Sequence, residues 1–172
     1  MKRILILLPA FLLVAAVNAQ DVPKAELFGG FSYSRGDIDL NMYGWNFEVA
    51  GVVNPWFSLV GDASGNYADI GAGIVDASLS IHSFAAGPQF SARRDSITGF
   101  ARILVGGTRI GSGVFGVSGG DTKLGLVIGG GLDVPLSARF AIRAIQADWI
   151  YVPTNGSDLN QARISSGLLV RF

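Results

Sequence analysis

The chain has 172 residues, no cysteine, 13 basic and 13 acidic residues, and one histidine, His82. These counts exclude disulfides, thiolate chemistry and any multi-histidine or cysteine metal site, and they leave no basic surface for nucleic acid. Charged residues are only 15% of the chain while glycine is 24 of 172, a balance unlike that of a soluble enzyme, and no cofactor is expected.

Residues 1–19 read as a secretory signal peptide. Lys2 and Arg3 precede an apolar run over 4–17, and Val17-Asn18-Ala19 places small residues at the cleavage positions. That run is too short for a spanning helix. Cleavage before Gln20 leaves residues 20–172 as a single domain with 11 basic and 13 acidic residues, a net charge of −2.

No second long apolar run follows, but alternation with period two recurs along the rest of the chain. Leu27, Gly29, Phe31 and Tyr33 share a face in the first run. Trp45, Phe47, Val49, Gly51 and Val53 alternate with Asn46, Glu48, Ala50 and Val52 in the second, and Asn54-Pro55 turns the chain. Phe57, Leu59, Gly61, Ala63 and Tyr67 oppose Ser58, Val60, Asp62, Ser64 and Asn66. A fourth run covers 80–92, with Phe84, Ala86, Pro88 and Phe90 on one side, and Arg93-Arg94-Asp95-Ser96 connects it onward. The fifth places Ala101, Ile103 and Val105 opposite Arg102, Leu104 and Gly106; the sixth runs over 123–134, the seventh over 139–151 and the eighth over 162–172.

Eight strands of about 10 residues match the span of a tilted strand across a bilayer. The connections after runs two, four and six are short. Those after runs one, three, five and seven are longer and rich in Gly, Asn, Asp and Ser, so long loops are expected over 35–43, 68–79, 108–121 and 153–161. The fold class that follows is all-β: an eight-stranded antiparallel transmembrane up-and-down barrel.

Charge parity says which face turns inward. Lys123 and Asp133 share a face, as do Arg163 and Arg171, and basic residues at mid-membrane on the lipid side cost about 2–4 kcal/mol. The expected interior set is Glu26, Glu48, Asp62, Asp133 and Asp148 against Arg102, Lys123, Arg163 and Arg171, five acids facing four bases and neutralising one another. Arg143 and Asp148 differ in parity, so either a β-bulge separates them or Arg143 sits at the rim. Trp45, Trp56, Phe57, Tyr67, Trp149, Tyr151 and Phe172 fall near strand ends, where aromatic girdles lie.

These runs, with the leader and the final strand Arg163-Ile164-Ser165-Ser166-Gly167-Leu168-Leu169-Val170-Arg171-Phe172, resemble the outer-membrane β-barrel family of OmpA, OmpX and the opacity proteins. The segments around His82–Phe90 and Gly129–Val134 carry the same likeness. The resemblance implies a Gram-negative outer-membrane location, lipid contact, recognition of Phe172 by the barrel-assembly machinery, and a monomer. The peptidoglycan-binding domain of OmpA has no counterpart in this sequence, so cell-wall anchoring is not implied.

Sharper motifs compete poorly. Gly111-Ser112-Gly113-Val114-Phe115-Gly116 matches GxGxxG, but no helical pattern follows. Arg35-Gly36-Asp37 falls in a loop, and Asp37, Asp39 and Asn41 lack the spacing of a calcium loop. His82 and Ser83 are adjacent, so alternation sends them to opposite faces, against a nucleophile–base pair. No enzyme activity and no catalytic residue are expected. The reading is a structural or surface-contact barrel, its interior closed by paired charges and its loops open to a surface ligand. The alternatives are a narrow gated channel, an outer-membrane lipid hydrolase, and a soluble barrel of lipocalin type with apolar residues inside.

Overall fold

In extended backbone successive side chains point to opposite faces, so a segment of period two offers one apolar and one polar surface. The structure is a computed structural model that describes residues 23–36, 40–72, 75–114, 117–153 and 158–172. In it these segments become β1 (Ala25–Gly36), β2 (Asn41–Asn54), β3 (Phe57–Ala72), β4 (Val75–Arg93), β5 (Thr98–Val114), β6 (Val117–Pro135), β7 (Phe140–Val152) and β8 (Leu159–Arg171). Every strand pairs antiparallel with its sequence neighbours, and β8 returns to β1 from Glu26↔Arg171 to Gly36↔Gln161, closing the barrel. Closure leaves no open sheet edge around the wall, the condition for crossing lipid with strands. At the end that carries the connections 55–56, 94–97 and 136–139, Lys24 N donates to Phe172 O at 2.6 Å.

Burial is inverted relative to a soluble barrel. Phe31, Phe47, Leu59, Phe84, Ile103, Val105, Leu124, Ile145 and Leu168 are exposed on the outer wall. Glu48, Asp62, Arg102, Asp133, Arg143, Asp148 and Arg163 are buried inside. This orientation contradicts the lipocalin-type alternative, which needs the apolar face inward. Trp45, Trp56, Tyr67 and Trp149 are exposed on the same wall as the apolar residues, and Trp56 stacks on Phe90 with ring centroids 6.1 Å apart. An inner apolar layer of Ala50, Val60, Ala85, Leu104, Val127, Ile150 and Val152 lies against the polar lumen, and Phe28, Ala141 and Leu169 form a second cluster.

Two expectations are corrected. Residues 68–72 and 75–79, and 108–114 and 117–121, are strand rather than long loop: β3 and β4 pair as far as Ala72↔Val75, and β5 and β6 as far as Val114↔Val117. Strand length, not loop length, distinguishes the two ends. β3 to β6 have 16, 19, 17 and 19 residues, where the other strands have 12 to 14. These four run on as a sheet beyond the last pairs with β2 (Tyr43↔Tyr67) and with β7 (Leu126↔Tyr151). Gly111–Val114 is therefore strand, not a phosphate-binding turn. The expected signal peptide, Asp37 and Asp39 lie outside the described residues.

Candidate functional site

The parity conflict between Arg143 and Asp148 resolves as a bulge. β7 gains one residue between Arg143 and Gln146 relative to both neighbours, and Ala144 and Ile145 both face outward. The bulge turns Arg143 inward with no exposed surface, instead of leaving it at the rim.

One ladder row reads Arg102↔Gly129↔Asp148↔Arg163 across β5 to β8. Glu48 and Asp62 face each other directly on β2 and β3, a like-charge pair that is unfavourable unless cations bridge it. Arg102 supplies the bridge. Its Nη2 donates to Asp62 Oδ2 at 3.0 Å and to Asp148 Oδ2 at 2.9 Å, its Nε to Asp148 Oδ1 at 3.0 Å, and its Nη1 to Glu48. Arg163 grips Asp62 and Asp148 from the other side, at 3.1 and 2.9 Å, and donates to Ser64 Oγ at 2.6 Å. Arg143 donates through Nε to Asp133 at 2.8 Å and through Nη1 to Glu48 at 3.0 Å. Its guanidinium lies between the rings of Phe28 and Phe100, 4.4 and 4.3 Å from their centroids, a cation–π contact strengthened by the dry site. Gln146 and Asn46 complete the cluster, donating to Asp148 at 2.8 Å and Asp62 at 2.9 Å. Gly129 leaves room for it: a Cβ there would stand 2.1 Å from Asp148 Oδ1.

The central cluster thus holds four carboxylates and three guanidiniums. Toward the short-turn end Glu26 binds both Arg93 (2.9 Å) and Arg171 (3.2 Å), one acid and two bases, so the two groups together balance. Of the residues expected inside, Glu48, Asp62, Arg102, Asp133, Asp148 and Arg163 meet in the centre, and Glu26 and Arg171 meet near the rim. Lys123 is half-buried opposite Thr108 and makes no ion pair among the described residues. Phe172 is exposed, and its N donates to Ala25 O at 2.9 Å. Sequence reasoning left Arg143 open between a bulge and the rim, because its face depends on the bulge, and missed Arg93, which reads as part of a connection but ends β4 facing inward.

Every central carboxylate accepts from a guanidinium, so none is left as a free acid or base. Ser83 Oγ bonds Thr108 Oγ1 inside at 3.1 Å, while His82 Nε2 meets Tyr67 Oη on the outer wall at 3.1 Å; the two side chains point away from each other.

No family model matches the sequence, and no curated protein is similar to it. Solved structures are similar in fold. Ail, the attachment invasion locus protein of Yersinia pestis, solved with the heparin analogue sucrose octasulfate, is 20% identical with a TM-score of 0.64, over 88% of this chain and 99% of that one. Neisserial surface protein A is 12% identical with a TM-score of 0.67, over 86% and 96%. The N-terminal β-barrel domain of Pseudomonas aeruginosa OprF is 12% identical with a TM-score of 0.54, over 87% and 98%. The fold is that of the small outer-membrane β-barrels. In an outer-membrane barrel the apolar wall meets lipid and the buried charges turn from it, which accounts for the inverted burial.

Proposed function

We propose that this chain is a closed outer-membrane barrel whose work is structural and surface contact, not conduction or catalysis. The observation that carries the reading is the central cluster. Arg102, Arg143 and Arg163 reach across the lumen to four carboxylates, and all three are at most 1% exposed. A water-filled pore needs hydrated lining groups, whereas these are dry and bonded to one another. Eight-stranded barrels have an interior that side chains alone can fill.

Surface contact falls to the end opposite the short turns, where β3 to β6 extend past their neighbours. The stretches 35–43, 68–79, 108–123 and 153–161 hold six aspartates against Arg35, Arg109 and Lys123. A sulfated polyanion of the kind bound to Ail fits that balance poorly, and a partner bearing cationic groups fits it better.

Single-channel recording of the folded chain in a planar bilayer tests the closed reading. The expected trace is flat in protein whose unboiled form migrates apart from its boiled form on an SDS gel. Discrete conductance steps from such protein would overturn it.

A further inference from the structure

The lumen mouth at the short-turn end is basic. Connections 94–97 and 136–139 wall a cleft of about 440 Å³ there, and Arg93, Arg94, Asp95, Thr98, Ser137 and Arg171 line it. Both walls are tied by backbone bonds: Arg94 N donates to Ile97 O at 2.9 Å, and Leu136 N donates to Phe140 O at 2.9 Å. The cleft is therefore preformed, and it has room for a small solute where a single water takes about 30 Å³.

Cations outnumber acids in this cleft. Glu26 offers one oxygen, Oε1, to both Arg93 Nη1 (2.9 Å) and Arg171 Nε (3.2 Å). Both guanidinium side chains are only 11% exposed, so little water reaches their remaining donors. Arg171 Nη2 is buried with no hydrogen-bond partner, and a buried donor left unmet is costly. Arg94 is exposed and makes no ion pair among the described residues. Lys24 and Arg139 are exposed beside the lining residues Pro23 and Ala138. Against these five cations stand the side-chain carboxylates of Glu26 and Asp95. Ser137 adds a hydroxyl donor: its Oγ accepts from Arg139 N at 3.3 Å and Phe140 N at 3.1 Å, which leaves its own O–H to donate.

We propose that the short-turn mouth binds a water-borne oxyanion of the phosphate class, inorganic phosphate or a small phosphate ester, held by Arg93, Arg94, Arg171 and the Ser137 hydroxyl. Three planar guanidinium forks and a hydroxyl suit a tetrahedral group with several acceptor oxygens better than a carboxylate with two. An anion seated beside Arg171 supplies the acceptor that Nη2 lacks. Glu26, Arg93 and Arg171 lie on the lumen face, so the headgroups around the barrel stand on the wrong side of the wall to meet them. In an outer-membrane barrel the short turns are periplasmic, and the solute comes from that side. The site goes beyond the closed-barrel reading, since it lies at the mouth opposite the extended strands and is measured by binding rather than conduction.

Isothermal titration calorimetry of the folded chain in maltoside micelles tests it, with inorganic phosphate as the probe and acetate at matched ionic strength beside it. The expected result is saturable phosphate binding, with acetate at least about tenfold weaker. Arg94→Gln should weaken phosphate about threefold and Arg171→Gln about tenfold, the scale of an exposed and of a buried charged contact. Arg109→Gln, on the outer wall toward the far end, should change nothing. Phosphate should also raise the urea midpoint of the parent more than that of Arg171→Gln. Absence of saturable binding, or undiminished binding in both Arg94→Gln and Arg171→Gln, overturns the site, and equal affinity for acetate overturns the phosphate assignment. Loss of phosphate binding when the micelles carry phosphatidylglycerol overturns the water-borne assignment in favour of a lipid headgroup. Each variant is first checked for the gel shift of the unboiled barrel, and the exposed Arg94 keeps the test decisive if Arg171→Gln does not fold.

Discussion

Replacing Arg102 by methionine removes four donated hydrogen bonds at once, two to Asp148 and one each to Asp62 and Glu48. No carboxylate loses its last partner: Arg163 still reaches Asp62 and Asp148, and Arg143 still reaches Glu48. What changes is the balance, from four acids on three guanidiniums to four on two. Breaking a buried pair from one side costs about 3–5 kcal/mol, and the surviving contacts place this case near about 3 kcal/mol. The folding constant should drop by about 10²-fold, and the urea midpoint of the barrel in uncharged micelles should fall by at least about 1 M. The fraction of heat-modifiable band against urea reads this directly. Adding Glu48→Gln restores the original charge difference and should recover part of the loss. A midpoint for Arg102→Met that matches the parent, or a double variant weaker than the single one, would refute the idea that the cluster is held by charge balance.

Other outcomes follow from the same geometry. Gly129→Ala puts a Cβ 2.1 Å from Asp148 Oδ1 and 2.5 Å from Ala147 O; urea titration should show a loss of about 2–4 kcal/mol, as for overpacking joined to a broken charged hydrogen bond. Gly61→Ala, which meets nothing, should stay within about 0.5 kcal/mol of the parent in the same titration. Deleting Ala144 removes the extra residue of the bulge and keeps Arg143 and Gln146 facing inward, so the gel shift should persist. Deleting Ala147, from the regular part of β7, should abolish it, because one residue of slip turns every following side chain to the other face.

Period-two alternation made the eight strands and the inward face legible, because lipid on one side and packed charge on the other impose opposite demands on successive residues. Polar and glycine-rich stretches such as 108–114 and 117–121 look like loops by composition. They are strands because each neighbour extends as far and supplies a full ladder of hydrogen bonds, and such pairing overrides local preference. The meeting of Glu48 with Asp62 is a matter of register, which no single strand encodes. Arg143 needed the bulge, announced only by its parity conflict with Asp148. Arg93 was hidden by its neighbours Arg94 and Asp95, which make a polar connection look complete.

The central cluster draws its charged members from β2, β3, β5, β6, β7 and β8, and partners such as Glu48 and Arg143 lie 95 residues apart. Neither the first hairpin nor the last is self-sufficient. β1 and β2 carry Glu26 and Glu48 inward with no inward cation of their own, while β7 and β8 carry Arg143, Arg163 and Arg171 against Asp148 alone. A hairpin entering lipid by itself would take unmatched charge with it, at a cost of kilocalories per group. The wiring of the lumen therefore favours concerted entry, with all eight strands gathered before the membrane is crossed, and makes the order of assembly a consequence of which charges wait for which strands.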